Sequence, residues 1–564
     1  MKKFLLVVLA LVMVLSLGLA GCNSYDNNND VVKESPGTSD DSGKSGNGDY
    51  KVSEPGVLPI VDEIVELEIM MPYHPYVTDY EDNKFTKHLE EQTNVRVKFN
   101  LLPQDEATDK LNLLLNSDAK LPDVIMAMQL DNASTVMFGT QGLFIPLNDL
   151  IEKHGYNIKQ LLDTYPTILP QITAPDGNIY ALPDWDVCYN CNYGKRFWIN
   201  KTFMDALGID KVPETTDELY EYLKAVKNGD PNGNGKQDEI PLVGATTGWH
   251  QNIDGYLMNA FIYNDSDRYV ITDESGIIDF AANKPEWRQG IEYLRKLCAE
   301  GLLDPMTFTL DKDGLRALVE LEDAMIVGAV PSGGNHEFAN ATGERRKNYI
   351  CIPPLKGPNG LRVAWWNKYA GVIPGQFIIT RDCKIPEIAL KWADNCYTEE
   401  NSNFDRYGEE GVDWIRPPEG TEAVNGGQAQ YREILPWGTP QNSHWAGAAP
   451  KWKRFGSDAR EKDLNDPHEL EFVLFEAAKS YEQFSPQYVV PPLMFTPEEA
   501  REFTELKQTI TDYVKEMFAR FVTGDANIET EWDAYVEELN RIGVKRYLEI
   551  QQKAFERQWR DSWK

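Results

Sequence analysis

The sequence predicts an α/β protein with more than one core. Three observations lead there: strand-like and helix-like segments alternate between residues 63 and 127, the chain has 564 residues, and no repeat of fixed period runs through it. Single cores stop growing near ~250–300 residues, so this length divides. Hydrophobic residues make up 42% and aromatic residues 11%, which supports dense packing.

The first element is Glu63-Ile64-Val65-Glu66-Leu67-Glu68-Ile69-Met70, whose apolar–acidic alternation is the period of a half-buried strand. Pro72-Tyr73-His74-Pro75-Tyr76 reads as a loop. Phe85 and Leu89 then share a helical face, and Val95-Arg96-Val97-Lys98-Phe99 alternates again. A helix over 107–115 leads to Leu121-Pro122-Asp123-Val124-Ile125-Met126-Ala127, strand-like once more. Strands separated by helices pair in parallel. Further on, Thr215-Thr216-Asp217-Glu218 is a capping box opening a helix through Leu219, Leu223 and Val226. Helical patterns also cover 285–298, 386–397 and 497–521, and Phe377-Ile378-Ile379-Thr380 reads as a strand.

The start of the chain has a different composition. Lys2 and Lys3 precede an uncharged apolar run over 4–19, too short for a comfortable span of ~20 residues. This is the form of a secretory signal over residues 1–21. Leu19-Ala20-Gly21-Cys22 resembles the lipobox of bacterial lipoproteins. That resemblance implies acylation of Cys22 and anchoring at the outer face of the bacterial cytoplasmic membrane. Residues 22–58 are Asn-, Ser-, Asp- and Gly-rich, a composition that cannot bury enough surface to offset ordering entropy, so they are expected to form a flexible stalk.

With 89 Asp and Glu against 56 Lys and Arg, the formal net charge is −33. Nucleic acid is excluded as a partner, because phosphate contact demands clustered cations. Neutral ligands fit this balance best. Six cysteines follow Cys22, too few to scaffold such a body. Cys188-x-x-Cys191 sits in an aromatic loop and reads as a local disulfide or as two plain thiols.

Asp230-Pro231-Asn232-Gly233-Asn234-Gly235-Lys236-Gln237-Asp238-Glu239 has the form of a loop around a hard cation. Asp230, Asn232 and Asn234 supply oxygens at alternate positions, Gly235 permits the bend, and Lys236 offers its carbonyl. Asp238 and Glu239 complete the set. Position 12 is Pro241 rather than the bidentate Glu of an EF-hand, so the expectation is a static structural Ca²⁺ and no calcium switch.

Several segments in order resemble the bacterial extracellular solute-binding proteins of family 1, in their branch of oligosaccharide-binding lipoproteins. They are Leu121-Pro122-Asp123-Val124, Trp198-Ile199-Asn200-Lys201, and Met204-Asp205-Ala206-Leu207-Gly208 with Val212-Pro213-Glu214-Thr215. The calcium-type loop, Glu300-Gly301-Leu302-Leu303-Asp304-Pro305, Pro354-Leu355-Lys356-Gly357-Pro358 and Lys391-Trp392-Ala393-Asp394 complete them. The resemblance implies a two-lobed periplasmic-binding-protein-like fold of type II, its lobes joined by crossover strands. Lobe 1 is expected over 59–185 and 373–430, lobe 2 over 186–372 and 431–564. It also implies closure over an oligosaccharide and delivery to the permease subunits of an ABC importer; a monomer is expected.

Sugars stack C–H faces on aromatic rings and need convergent polar groups for their hydroxyls. Aromatic and polar residues interleave around Asp184 and Trp185, around Trp249, around Trp366 and around Trp437, which are the expected ligand contacts. Tyr73 and Gln129 join them from the rule that ligands sit at strand carboxyl ends. Two rival readings are a glycan-cleaving enzyme and a peptide or nucleobase receptor of the same fold. The enzyme would need two carboxylates ~5–9.5 Å apart. No Gly-x-Ser-x-Gly elbow or His-Glu-x-x-His pair occurs, and the seven histidines fall in no motif.

Overall fold

The computed structural model describes residues 50–436 and 439–563, so the leader, Cys22 and Trp437 lie outside the described residues. Eight strands carry the architecture: β1 (Val65–Pro72), β2 (Val95–Leu102), β3 (Val124–Met126), β4 (Leu182–Trp185), β5 (Phe197–Asn200), β6 (Ala329–Pro331), β7 (Tyr349–Ile352) and β8 (Val372–Ile379). The helices used below are α1 (Lys84–Thr93), α2 (Ala107–Leu115), α3 (Asn132–Thr140), α4 (Ile168–Ile172), α5 (Thr216–Asn228), α6 (Pro285–Ala299), α7 (Pro386–Cys396), α8 (Leu470–Glu482), α9 (Pro497–Thr523), α10 (Ile528–Arg541) and α11 (Val544–Gln558).

Lobe 1 is a five-stranded sheet of order β2-β1-β3-β8-β4, with β1 parallel to β2 and β3, and β8 antiparallel to both its neighbours. The alternation of β1 is obeyed: Val65, Leu67, Ile69 and Met71 enter one core with Phe85, Leu89 and Trp392. Met70 enters a second core on the opposite face with Ile125, Leu111 and Phe138. Both faces are therefore covered, as parallel sheets require. Asn83 caps α1 by accepting from the Phe85 N–H (3.0 Å).

Lobe 2 has a smaller antiparallel sheet, β6-β5-β7, packed among long helices. Thr215 and Glu218 form the expected capping box on α5, and Thr496 and Glu499 form a second on α9. Helices α6, α7 and α9 each begin on a proline at a position where its missing N–H costs nothing.

Two boundaries differ from the sequence reading. Residues 50–58, assigned to the stalk by composition, dock on lobe 1: Val52 bridges Val61, and the Lys391 ammonium donates to the carbonyls of Ser53 (2.7 Å) and Glu54 (2.8 Å). Trp445 and Ala449, expected in lobe 2, lie in the core of lobe 1 against Phe85 and Trp392. Several of the segments quoted above prove to hold the fold. The Asp394 carboxylate, for instance, accepts the N–H groups of Tyr156, Asn157 and Ile158 at 2.9–3.1 Å. No helix among the described residues is long and apolar enough to cross a membrane.

Candidate functional site

Three chain crossings between the lobes run side by side. The first leaves β4 and the second enters β8; they are joined by Asp186 N–H to the Gly371 carbonyl (2.8 Å) and Asn367 N–H to the Asn192 carbonyl (2.9 Å). The third passes Trp185, whose N–H donates to the Lys451 carbonyl (2.9 Å). Two cavities meet beside them at Asn367, Tyr369 and Pro492. One, about 290 Å³, is lined by Tyr263, Asp265, Asp267, Trp365 and Trp366. The other, about 470 Å³, is lined by Asn132, Gln171, Asp186 and the Cys188–Cys191 disulfide. Together they form a trough with aromatic walls and polar groups from both lobes.

One rim of the trough is irregular backbone held in place. Ser266 (φ 51°) and Tyr269 (φ 56°) are left-handed, a conformation that costs non-glycine residues free energy and survives only where neighbours impose it. Here Asp265 imposes it: its Oδ1 accepts from the N–H groups of Asp267 (3.2 Å), Arg268 (3.0 Å) and Tyr269 (2.7 Å). Beneath lies Lys195, fully buried, donating to the Asp265 carbonyl and the Ser266 hydroxyl, with its ammonium 4.9 Å from the Trp365 ring. Burial pulls its pKa down, and the carboxylates of Asp267 and Asp265 oppose that. His250 packs 5.1 Å from Trp365; burial, reinforced by Lys195 and Arg196, lowers its pKa to about 3, so the imidazole is neutral.

Of the expected ligand contacts, Trp366 lines the trough. Trp249 does not; its ring lies against Gly333 and beside His250, one residue removed from the Trp365 wall. Trp185 stacks on Tyr165 (4.1 Å) beneath Gly371, its indole N–H buried without a partner. Asp184 is buried (1% exposed), its carboxylate is ion-paired with Lys451, and it lines neither cavity. Burial raises its pKa to about 6 against the pull of Lys451. Tyr73 and Gln129 are exposed at the ends of β1 and β3 and line neither cavity; Gln129 is left-handed (φ 48°). The sequence reading missed Trp365, Tyr369 and Tyr263. Trp365 shares the aromatic–polar run that pointed to Trp366, and Tyr263 lies in a similar run, Tyr263-Asn264-Asp265-Ser266-Asp267.

The calcium-type loop lies apart, between α5 and Ile240. Asp230 accepts the N–H groups of Asn234 (3.0 Å) and Gly235 (2.8 Å), and Asn234 Oδ1 accepts from Lys236 N–H (2.8 Å). Asp238 takes the side-chain amides of Asn232 (3.1 Å) and Asn234 (3.0 Å). Among the described residues no group of three or more His, Cys, Asp or Glu is drawn together as a metal site. Both Glu239 carboxylate oxygens are nevertheless buried with no hydrogen-bond partner. Burial pushes the Glu239 pKa up, with the neighbouring Asp238 and Asp230 adding to the rise and the backbone N–H groups of Glu239 and Asn232 opposing it. A carboxylate buried beside two others favours a cation, and this all-oxygen set suits a hard one.

Comparison with known proteins agrees with this architecture. The model of the bacterial extracellular solute-binding protein family matches residues 74–403. The fructooligosaccharide ABC transporter substrate-binding protein FusA of Streptococcus pneumoniae is 28% identical over 539 residues, which cover 90% of this chain and 93% of its own. The structure of FusA with kestose superposes with a TM-score of 0.70 at 25% identity, covering 88% of this chain and all of that one; an EF-hand mutant of FusA has been solved with fructo-nystose. An HMO-binding, ABC-transporter-associated solute-binding protein of Bifidobacterium longum infantis shares the fold, with a TM-score of 0.72 at 22% identity over 87% of this chain and 98% of its own. The overall fold is thus shared, and this chain belongs to the bacterial extracellular solute-binding proteins.

Proposed function

We propose that this protein is a membrane-tethered receptor that captures an oligosaccharide between its lobes and delivers it to an ABC importer. The observation that carries the reading is the trough itself. Tyr263, Trp365, Trp366 and Tyr369 offer ring faces for sugar C–H groups, while Asn132, Gln171, Asp186, Asp267 and Asn367 offer partners for hydroxyls. Lobe 2 contributes the aromatic half, held rigid by Asp265 and Lys195. Lobe 1 contributes polar groups that complete the site when the lobes approach, so ligand favours the closed form through the contacts added there. The fructooligosaccharide ligand of FusA supports this chemistry.

Cys22 would carry the lipid anchor, keeping the receptor close to its transporter at high effective concentration. The mature chain works outside the cytoplasm as a monomer. The loop of Asp230, Asn232, Asn234, Lys236, Asp238 and Glu239 would hold Ca²⁺ through side-chain oxygens and the Lys236 carbonyl, fixing lobe 2 without touching sugar.

A thermal-shift series tests the reading, using kestose, longer neutral oligosaccharides and acidic ones. A neutral fructo- or gluco-oligosaccharide should raise the melting temperature and emerge unshortened after hours of incubation. If none of the series shifts the transition, the oligosaccharide reading is wrong; if the sugar is shortened by pure protein, the receptor is an enzyme.

A further inference from the structure

One wall of the trough leads into the opposite lobe. Residues 489–495 form an extended strap between α8 and α9. The near part belongs to the trough: Val489, Val490 and Pro492 line it, and the Arg268 guanidinium donates to the carbonyls of Val490 (2.8 Å) and Pro491 (3.2 Å). Leu493 still packs in the core of lobe 2. Met494, the next residue, does not. It is 3% exposed and sits in the second core of lobe 1, with Leu102, Leu111, Leu130 and Phe138.

A second contact reinforces the crossing. Gln558, at the end of α11, accepts the Met494 N–H on Oε1 (2.8 Å) and donates from Nε2 to the Pro170 carbonyl of α4 (2.6 Å). Arg557 donates to the Met494 carbonyl (2.8 Å) and is itself paired with Glu499 (2.8 Å), which fixes the strap from the side of lobe 2. Leu169, Pro170 and Thr173 of lobe 1 face Met494 and Gln558 across a cavity of about 350 Å³ at this seam.

We infer that Met494 and Gln558 form an interlobe clasp, a non-covalent tie that couples occupancy of the trough to the placement of the lobes and so sets how long ligand is held. The reason is mechanical. A ligand resting on Val490 and Pro492 acts on a strap whose other end is seated in lobe 1. If ligand favours the seated strap, the seated strap favours ligand by the same factor. Methionine suits the seat, because an unbranched, flexible side chain can leave and re-enter a packed layer with little rearrangement. Met494 lines neither cavity of the trough, so it is a positioning residue and makes no ligand contact.

The consequence for affinity rests on the oligosaccharide reading; the clasp itself does not. The test uses the mature chain with Met494→Ala, Met494→Leu and Gln558→Ala. Without ligand, amide exchange in α3, α4 and the strap should quicken in Met494→Ala and Gln558→Ala, recover in Met494→Leu, and stay unchanged in β1 and β2. With kestose, the Kd of Met494→Ala should rise by about tenfold through faster dissociation, the association rate holding steady. Unchanged exchange in α3 and α4 in both the Met494→Ala and the Gln558→Ala proteins overturns the clasp. So does a loss of affinity that Met494→Leu fails to restore. If Met494→Ala does not fold, Gln558→Ala decides alone, since it removes the cross-lobe hydrogen bond and leaves the packed layer intact. If the unsubstituted protein takes up no oligosaccharide, the trough reading fails while exchange still decides the clasp.

Discussion

The two lobes differ in the buried charges that flank the crossings; elsewhere in lobe 1, Lys391 is held by backbone carbonyls. In lobe 1, Asp184 and Lys451 meet as an ion pair at the edge of the sheet, with Asp405 buried nearby. In lobe 2, Lys195 and Arg196 stand buried at the end of the first crossing. Lys195 donates to the Asp265 carbonyl and Ser266 hydroxyl, and Arg196 to the carbonyls of Gly333 and Asn190. The guanidinium of Arg196 also lies 5.9 Å from the Trp249 ring. A cation satisfied by carbonyls acts as a post around which irregular loops can be fixed. The contrast is one of degree: Lys451 adds the Gly447 carbonyl (2.7 Å) to its buried carboxylate partner, and Lys195 lies 3.9 Å from the exposed Asp267 carboxylate. Lobe 1 is thus a regular scaffold, and lobe 2 a half-site shaped before ligand arrives.

If that contrast is right, a large core truncation in lobe 1 should damage stability and little else. Trp392 is fully buried in α7, stacked between Phe377 (6.1 Å) and Trp445 (6.2 Å). Trp392→Ala should cost about 3–5 kcal/mol of unfolding free energy, measured by urea titration. Kestose affinity, measured where the protein remains folded, should change less than twofold, about 0.4 kcal/mol. A tenfold loss of affinity would mean that the sheet shapes the trough after all.

Next in size is removal of the proposed calcium, which should act on lobe 2. A ligand present at about a hundred times its Kd stabilises by about 2.7 kcal/mol. Chelation should therefore lower the melting temperature of the intact chain and quicken amide exchange near 229–243, leaving exchange in β1 and β2 unchanged. Glu239→Gln should abolish the response, since it removes a buried carboxylate charge from the oxygen set. An unaltered melting temperature in metal-free buffer would refute the metal.

Smaller in energy, but specific to recognition, is Trp365→Ala. Losing the ring between Lys195 and the trough should weaken oligosaccharide binding by about 1–2 kcal/mol. Trp249→Ala should cost stability instead, because that ring is packed on Gly333 and lines neither cavity. Calorimetry on the pair separates a trough wall from its support. Equal affinity losses in both would erase the distinction.

Much of the local structure of both lobes was legible from residues alone. Alternation in β1, the Thr215–Glu218 cap and the proline helix starts are local signals, and local chemistry decides them. The trough was less legible. Its walls come from residues 132, 171, 186–191, 263–270, 365–374 and 489–492, which only the fold brings together. Trp185, Trp249 and Trp366 share one signature of rings amid polar residues, yet only Trp366 faces the trough. What separates them is the partner covering each ring, Tyr165 or Gly333, and no sequence window contains it. The burial of Asp184 was hidden for the same reason, as its lysine lies 267 residues away.

The smallest net effect, that of acidification, probes the contrast between lobes most directly. Asp405 is fully buried, and burial lifts its pKa to about 7, with Asp184 raised to about 6 beside it. Both values exceed the unfolded carboxylate's 3.8, so the folded state binds more protons in between. Their stabilising contribution is complete below pH 4 and is lost as pH rises through about 6 and about 7. His250 in lobe 2 and His444 in lobe 1 run the other way, with pKa values lowered to about 3 and about 4. Their contribution is complete above pH 6.5 and is lost as pH falls through those values. Between pH 7 and pH 5 the opposing trends should leave the intact protein nearly level. Asp405→Asn should make stability fall on acidification, and His250→Gln should make it rise. Urea midpoints at pH 5 and pH 7 read both slopes. Should His250→Gln leave the slope unchanged, the imidazole beside Trp365 is not held neutral, and the half-site of lobe 2 is less rigid than its buried posts imply.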